Sequence, residues 1–166
     1  MMPQLAELGI CGYDCKEFGG PGLNEFDIAA VLYEITKIDA SLGTFLGVHN
    51  SLGVRVIDKL GDEQQRARLL PDCIALKKFA CFGLTEPDYG SDATSLKAAA
   101  KRVDGGYVLN GTKRWIGNAT FADYIVIWAR NDEEGGKIQG FVVEKGSKGL
   151  TTKKIENKYA LRMVQK

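Results

Sequence analysis

The chain has 166 residues, 45% of them hydrophobic and 26% charged, with a formal net charge of +1. At this length a globular chain buries roughly two-thirds of the surface its unfolded form exposes, so a core forms without a disulfide framework. The near-neutral balance argues against a nucleic-acid binder, and no apolar run approaches the roughly 20 residues of a bilayer-spanning helix or the pattern of a signal peptide.

The opening residues read as the end of a helix, and Gly19-Gly20-Pro21-Gly22 as a loop after it. Asn24 is a plausible N-cap for a first long helix, whose stripe of Ile28, Val31, Leu32, Ile35 and Ile38 follows a spacing of three and four. A second helix starts after Asp39 or Ser41 and runs to Leu60, where Gly61 can take the left-handed conformation that stops it. Asp62 caps a third, Glu63 to Leu76, which Pro71 should break or kink. The only histidine, His49, lies inside the second helix and reads as structural. Cys73 and Cys81 have apolar neighbours, as small buried hydrophobes do, and the four cysteines lack the paired CxxC pattern of a zinc site, so no metal is expected.

Near residue 78 the periodicity changes. Strands are expected at Phe79–Leu84, Ala98–Val103, Tyr107–Leu109, Tyr124–Ala129 and Gly140–Val143. The Asp104-Gly105 and Asn110-Gly111 pairs are hairpin signals, and the polar Asn131 to Gly136 stretch joins two further antiparallel strands. The reading is α+β, a helical domain over residues 1–78 followed by an antiparallel β domain over 79–166. Charge divides along the same line, with 8 Lys or Arg against 11 Asp or Glu before residue 79 and 14 against 10 after it. Much of the basic excess lies in Lys145, Lys148, Lys153, Lys154, Lys158, Arg162 and Lys166, which suits a solvated face better than a site for a phosphorylated ligand.

Two segments have a composition that simple packing does not explain. Cys81 to Asp92 runs from a strand into a loop rich in carboxylates and hydroxyls, which either holds carbonyl or phosphate oxygens or forms an ordinary Asx-rich turn. Lys113-Arg114-Trp115-Ile116-Gly117-Asn118 sets an aromatic before a Gly-Asn pair. The Trp either lies against a flat cofactor ring or belongs to the core, and by itself the segment favours core.

Leu84-Thr85-Glu86-Pro87, then Gly90-Ser91-Asp92, then Trp115-Ile116, resemble the signature of the acyl-CoA dehydrogenase and acyl-CoA oxidase superfamily. The resemblance extends to Gly61-Asp62-Glu63-Gln64-Gln65, Leu70-Pro71 and Phe121-Ala122-Asp123, and so covers essentially the whole chain. Through Arg114 to Asp123 and Asn157 to Gln165 it points most closely to the short-chain oxidases of plant peroxisomes. The Cys-Phe-Gly-Leu-Thr-Glu-Pro stretch is shared with glutaryl-CoA dehydrogenases.

The resemblance implies a helical bundle part, then a β-barrel-like domain, truncated before a C-terminal helical bundle. It implies an FAD enzyme of fatty-acid β-oxidation that desaturates a short- or medium-chain acyl-CoA between Cα and Cβ. The oxidase branch is favoured, and a dehydrogenase of the glutaryl-CoA-dehydrogenase-like branch, passing electrons to a flavoprotein, or a non-catalytic truncated module are the alternatives. It places backbone groups of Phe82 and Leu84 and the Thr85 hydroxyl at the flavin pyrimidine edge, Trp115 against the ring system, Gly117 near the flavin N5 and Ser91 toward the acyl-CoA. Hydrogen bonds at the pyrimidine edge stabilise the charge that develops on reduction. Glu86 has a structural place in the loop, and the α-proton base is expected outside this chain, leaving no catalytic residue within it and no turnover by the chain alone. A peroxisomal location is favoured with a mitochondrial one as the alternative, and a homo-oligomer is expected at full length.

Three positions depart from or refine the pattern. Tyr89 stands where a small residue is usual, and Gly117 where many dehydrogenases have Thr, which leans the reading toward an oxidase. Glutaryl-CoA dehydrogenases carry an Arg for the distal carboxylate of their substrate, and matching their stretch to Ile38-Asp39-Ala40 puts Gly43 there. No Arg or Lys lies between Lys37 and Arg55, so a monocarboxylic substrate is expected.

Overall fold

A computed structural model describes residues 2–164, so Gln165 and Lys166 of the segments above lie outside the described residues. Five helices, α1 (Met2–Glu7), α2 (Glu25–Ile38), α3 (Ala40–Gly47), α4 (Arg55–Leu60) and α5 (Glu63–Ile74), precede five strands. The strands are β1 (Ala80–Gly83), β2 (Ala99–Val103), β3 (Gly106–Asn110), β4 (Tyr124–Asn131) and β5 (Lys137–Glu144). The helical half followed by a β half is the architecture expected.

The caps explain where the helices begin. The Asn24 side chain accepts from the Phe26 and Asp27 amides while Asp27 reaches back to Asn24, and Asp62 and Gln65 make the same reciprocal arrangement on α5. Pro71 sits inside α5 without breaking it. Gly61 ends α4 in an extended conformation (φ −73°, ψ 151°), not the left-handed one expected, because the Asp62 cap follows at once. The α2 stripe is inward except at its end, where Ile38 is exposed.

Between α3 and α4 the chain winds as a π-helix over Val48–Val54, with the Arg55 amide donating to the Asn50 carbonyl. This wide turn is where helices meet sheet. A Cβ on Gly53 would lie 2.6 Å from the Ala80 Cβ, so the glycine lets β1 approach. His49 fills the seam: Ala80 N–H donates to its Nδ1 (3.1 Å), and its Nε2 lies 3.0 Å from the Cys73 carbonyl. These partners fix the Nε2-protonated neutral tautomer, and burial holds its pKa below the ordinary 6.5. His49 is structural, as its setting suggested.

The sheet is mixed. β2–β3 and β4–β5 are antiparallel, whereas β1 and β2 run parallel to β4 along its other edge. The long excursion between β1 and β4 makes the parallel pairing available. Asp104-Gly105 turns the β2–β3 hairpin as expected, and Asn131 to Gly136 the β4–β5 hairpin. Asn110-Gly111 turns no hairpin; it releases the chain into the loop that carries Trp115. One face of the sheet, through Ala80, Tyr124 and Val126, packs on Val54, Ile57, Leu69, Leu70 and Cys73 of the helical half. The opposite face, through Cys81, Ile125 and Ile127, meets Ile116, Ala119, Ala122 and Leu150. All four cysteines are buried, and burial pushes their thiols up to about 11 or 12.

Candidate functional site

The second sheet face does not close. A cleft of about 1580 Å³ opens over it, walled by Gly83, Lys113, Arg114, Trp115 and Ile116, by Ile125 and Ile127 of β4, and by residues 147–156. It exceeds the ~300–1,000 Å³ of ordinary small-ligand pockets, and so has room for a dinucleotide-sized molecule.

The two segments singled out in the sequence meet beside it. The Thr85 carbonyl accepts from the Arg114 amide (2.8 Å), and Lys113 Nζ donates to the Leu84 carbonyl (2.9 Å). The same ammonium lies 2.8 Å from Glu86 Oε1, in a pair whose side chains are 9% and 6% exposed. Glu86 also accepts from the Lys97 amide (2.7 Å) and the Ala98 amide (2.8 Å). Burial raises the Glu86 carboxyl, but these hydrogen bonds outweigh it and hold the group below its ordinary 4.5. A carboxylate held low by three donors is a weak base, and its loop place is structural. Tyr89 closes the turn, its carbonyl accepting from the Glu86 amide, with its ring under Lys97 Nζ.

Trp115 is not a core residue. The residue is 50% exposed, and its backbone has φ 62°, a conformation rare for a bulky side chain. Arg114 lies over the ring, 4.7 Å from its centre. Thr85 offers two uncommitted donors: neither its N–H nor its hydroxyl has an acceptor among the described residues. Phe82 turns its ring to the helical side of the sheet, against Trp128, and so presents only backbone to the loop. Ser91 is exposed on the loop outside the cleft wall.

Gly117 is buried and does not wall the cleft. A Cβ there would lie 3.0 Å from Val164 and 3.2 Å from Val48. Packing therefore accounts for glycine at this position without reference to an electron acceptor, and the lean toward an oxidase loses its basis. The neighbouring Asn118 is also buried and left-handed (φ 67°), its side-chain amide donating to the Phe45 carbonyl. Sequence reasoning missed Lys113 and Arg130. Arg130 donates to the Leu96, Gly136 and Thr94 carbonyls, pinning the loop that follows Ser91. A lone basic residue in a strand otherwise apolar was the available signal.

Asp14, Cys15 and Asp58 lie close enough to share an ion. Arg55, Lys59 and Arg66 already pair with these carboxylates, which makes the group an ion-pair network joining the first loop to α4 and α5.

Residues 1–77 match the family model for the acyl-CoA dehydrogenase N-terminal domain, and residues 81–166 that for the acyl-CoA dehydrogenase middle domain. The chain belongs to the acyl-CoA dehydrogenase family. It is 34% identical over 164 residues to an acyl-CoA dehydrogenase of Bacillus subtilis (strain 168), covering 97% of this chain and 43% of the relative. It is 38% identical over 159 residues to the mitochondrial isobutyryl-CoA dehydrogenase of Bos taurus, covering 95% and 38%. A glutaryl-CoA dehydrogenase from Mycobacterium smegmatis, solved in complex with FADH2, superposes with a TM-score of 0.93 at 33% identity, over 99% of this chain and 42% of that one. The chain thus spans less than half the length of these relatives. They correct two expectations. Relatives of this kind are dehydrogenases and do not support the plant oxidase likeness, and their bacterial and mitochondrial origins overturn the peroxisomal assignment.

Proposed function

We propose that the protein serves an FAD-dependent acyl-CoA dehydrogenase reaction, the α,β-desaturation of a short- or medium-chain monocarboxylic acyl-CoA, with electrons passed on to a flavoprotein. The observation that carries this reading is the convergence of Leu84–Glu86 with Lys113–Trp115 at the edge of a large cleft, with the Thr85 donors uncommitted and Trp115 half-exposed beside Arg114. The residues fit the cofactor. Gly83 has no side chain, so the end of β1 presents backbone at the cleft wall, and a flat ring system can lie on Trp115.

When bound, FAD supplies the two-electron oxidation that the protein itself cannot perform. The Thr85 N–H and hydroxyl, with backbone of Phe82 and Leu84, serve the pyrimidine edge, where fixed donors stabilise developing negative charge. Trp115 orients the ring system and excludes water from one side of it. Gly117 contributes through the close packing of the Trp115 loop on Val48 and Val164, and Ser91 lies on the loop that would face the acyl-CoA. Because Glu86 is buried, held by three donors and does not wall the cleft, the α-proton must go to a base other than this carboxylate.

The monocarboxylic preference rests on Gly43. It is buried in α3, and a Cβ there would strike the Thr36 side chain, so an Arg for a distal carboxylate has neither presence nor room. Titration of the chain with FAD, followed by flavin fluorescence, should give saturable binding that Trp115→Ala weakens at least tenfold; no binding would sink the cofactor assignment. Active protein should favour butyryl-CoA over glutaryl-CoA by at least about tenfold in kcat/KM, since a distal carboxylate without a partner forfeits ~1.5–3 kcal/mol. Comparable efficiencies would refute the substrate class.

A further inference from the structure

The Lys113 side chain is largely buried, 9% exposed, and its ammonium is shared between a carboxylate and a main-chain carbonyl. It lies 2.8 Å from Glu86 Oε1 and 2.9 Å from the Leu84 carbonyl oxygen. That carbonyl belongs to the same peptide group as the Thr85 N–H, the donor left without an acceptor among the described residues. In a trans peptide the two groups point in opposite directions, so a cation that fixes the carbonyl also aims the N–H away from itself. A charged donor on the oxygen polarises the peptide and strengthens the N–H, an effect of roughly 10–30% per bond in chains of hydrogen bonds. On the following peptide, the Arg114 amide holds the Thr85 carbonyl at 2.8 Å, so Thr85 is bracketed by two contacts from one segment.

We propose that Lys113 is a positioning residue for the cofactor edge. It orients and polarises the Leu84–Thr85 peptide so that the Thr85 N–H is a stronger donor to the reduced, negatively charged flavin than to the oxidised one. Glu86 balances the charge of Lys113 and limits that effect. The inference rests on the FAD reading above. It assigns to the ion pair an electrostatic role, distinct from that of holding the loop.

The two roles predict different signs. If the pair only holds the loop, Lys113→Gln and Glu86→Gln both loosen it and shift the flavin potential the same way. If Lys113 tunes the peptide, Lys113→Gln destabilises the reduced form, whereas Glu86→Gln leaves the ammonium unbalanced and stabilises it. The measurement is the two-electron midpoint potential of FAD bound to the chain at saturating cofactor, with folding verified by circular dichroism. Lys113→Gln should lower the potential by about 30 mV, a tenfold preferential loss of affinity for the reduced form, and Glu86→Gln should raise it. Lys113→Arg, which keeps the charge, should lie nearer the parent value, and if Lys113→Gln does not fold the raised potential expected of Glu86→Gln tests the proposal, an unchanged or lowered one overturning it. Potentials that move together, or a Lys113→Gln potential within a few millivolts of the parent's, would overturn the proposal while leaving the FAD reading intact. Failure of the unmodified chain to bind FAD would overturn the FAD reading, and this inference with it.

Discussion

The seam between helices and sheet and the seam between Leu84–Glu86 and Lys113–Trp115 are both made by buried polar side chains on main-chain partners. The first uses a neutral group. His49 satisfies one amide and one carbonyl between α5 and β1, fully buried with the Phe45 and Phe79 rings packed against it. The second uses charges: Glu86 and Lys113 gather two amides and a carbonyl from loop residues beside an open cleft. A closed seam has no water to offset the desolvation of an ion, so a neutral imidazole is the cheaper link. Loop ends without ladder partners need stronger bonds, and charge-assisted ones are roughly twice as strong as neutral ones. The seam between α5 and β1 is thus held by a neutral imidazole, and the edge of the cleft by an ion pair.

Breaking the charged seam should do the most damage. Glu86→Ala leaves an ammonium of 9% exposure unpaired together with two amides, and should cost about 3–5 kcal/mol in urea unfolding. The Glu86 carboxyl is held below its ordinary 4.5, so its contribution is complete above that value and is lost as pH falls through the lower folded value. Breaking the neutral seam comes next. His49→Ala should cost about 2–4 kcal/mol by stranding the Ala80 amide and the Cys73 carbonyl. Here the folded pKa lies below the ordinary 6.5, so the unfolded chain takes up a proton first as pH falls. The His49 contribution is therefore present above about 6.5 and declines below it, until the folded value is reached. Thermal unfolding should show that acid slope in the parent and lose it in His49→Asn; equal slopes would break the comparison.

The sharpest steric test of the closed seam is Gly53→Ala. The added methyl would sit 2.6 Å from the Ala80 Cβ and closer than van der Waals contact to the Ala80 main chain, and overpacking of this kind costs about 1–3 kcal/mol. A variant as stable as the parent would mean that the π-helical turn can slide away from β1.

Both seams were only partly legible in the sequence. The caps at Asn24 and Asp62 and the Asp104-Gly105 hairpin follow from local chemistry, and they were readable for that reason. The π-helix was not, since its extra residue per turn is stabilised by contacts to β1 that are distant in sequence. The parallel pairing of β1 and β2 with β4 escaped for the same reason. At the site, Thr85 and Trp115 could be named through a family likeness. Composition pointed Trp115 toward the core, because a Trp in a basic-apolar stretch gives no hint of a left-handed backbone. Lys113 was hidden because a lysine in a loop reads as solvated, and only the fold reveals that it is 9% exposed.

Trp115→Gly should have the smallest effect on stability and a large one on binding. The backbone at φ 62° disfavours a bulky residue by about 1–2 kcal/mol, which glycine relieves. Against that stand the ~0.5–1 kcal/mol entropy cost of glycine and a contact with Arg114 worth ~0.5–1 kcal/mol on a ring half in water. These nearly cancel, so unfolding should shift by no more than about 0.5 kcal/mol. The ring nevertheless supplies the flat surface at the cleft, and aromatic stacking contributes ~0.5–1.5 kcal/mol beyond the area buried, so FAD affinity should fall by about tenfold or more. Stability unchanged with binding lost would mark Trp115 as a residue kept in a disfavoured conformation for its ligand. A destabilisation above about 2 kcal/mol would make the ring part of the fold and return the cleft edge to the neutral, closed kind.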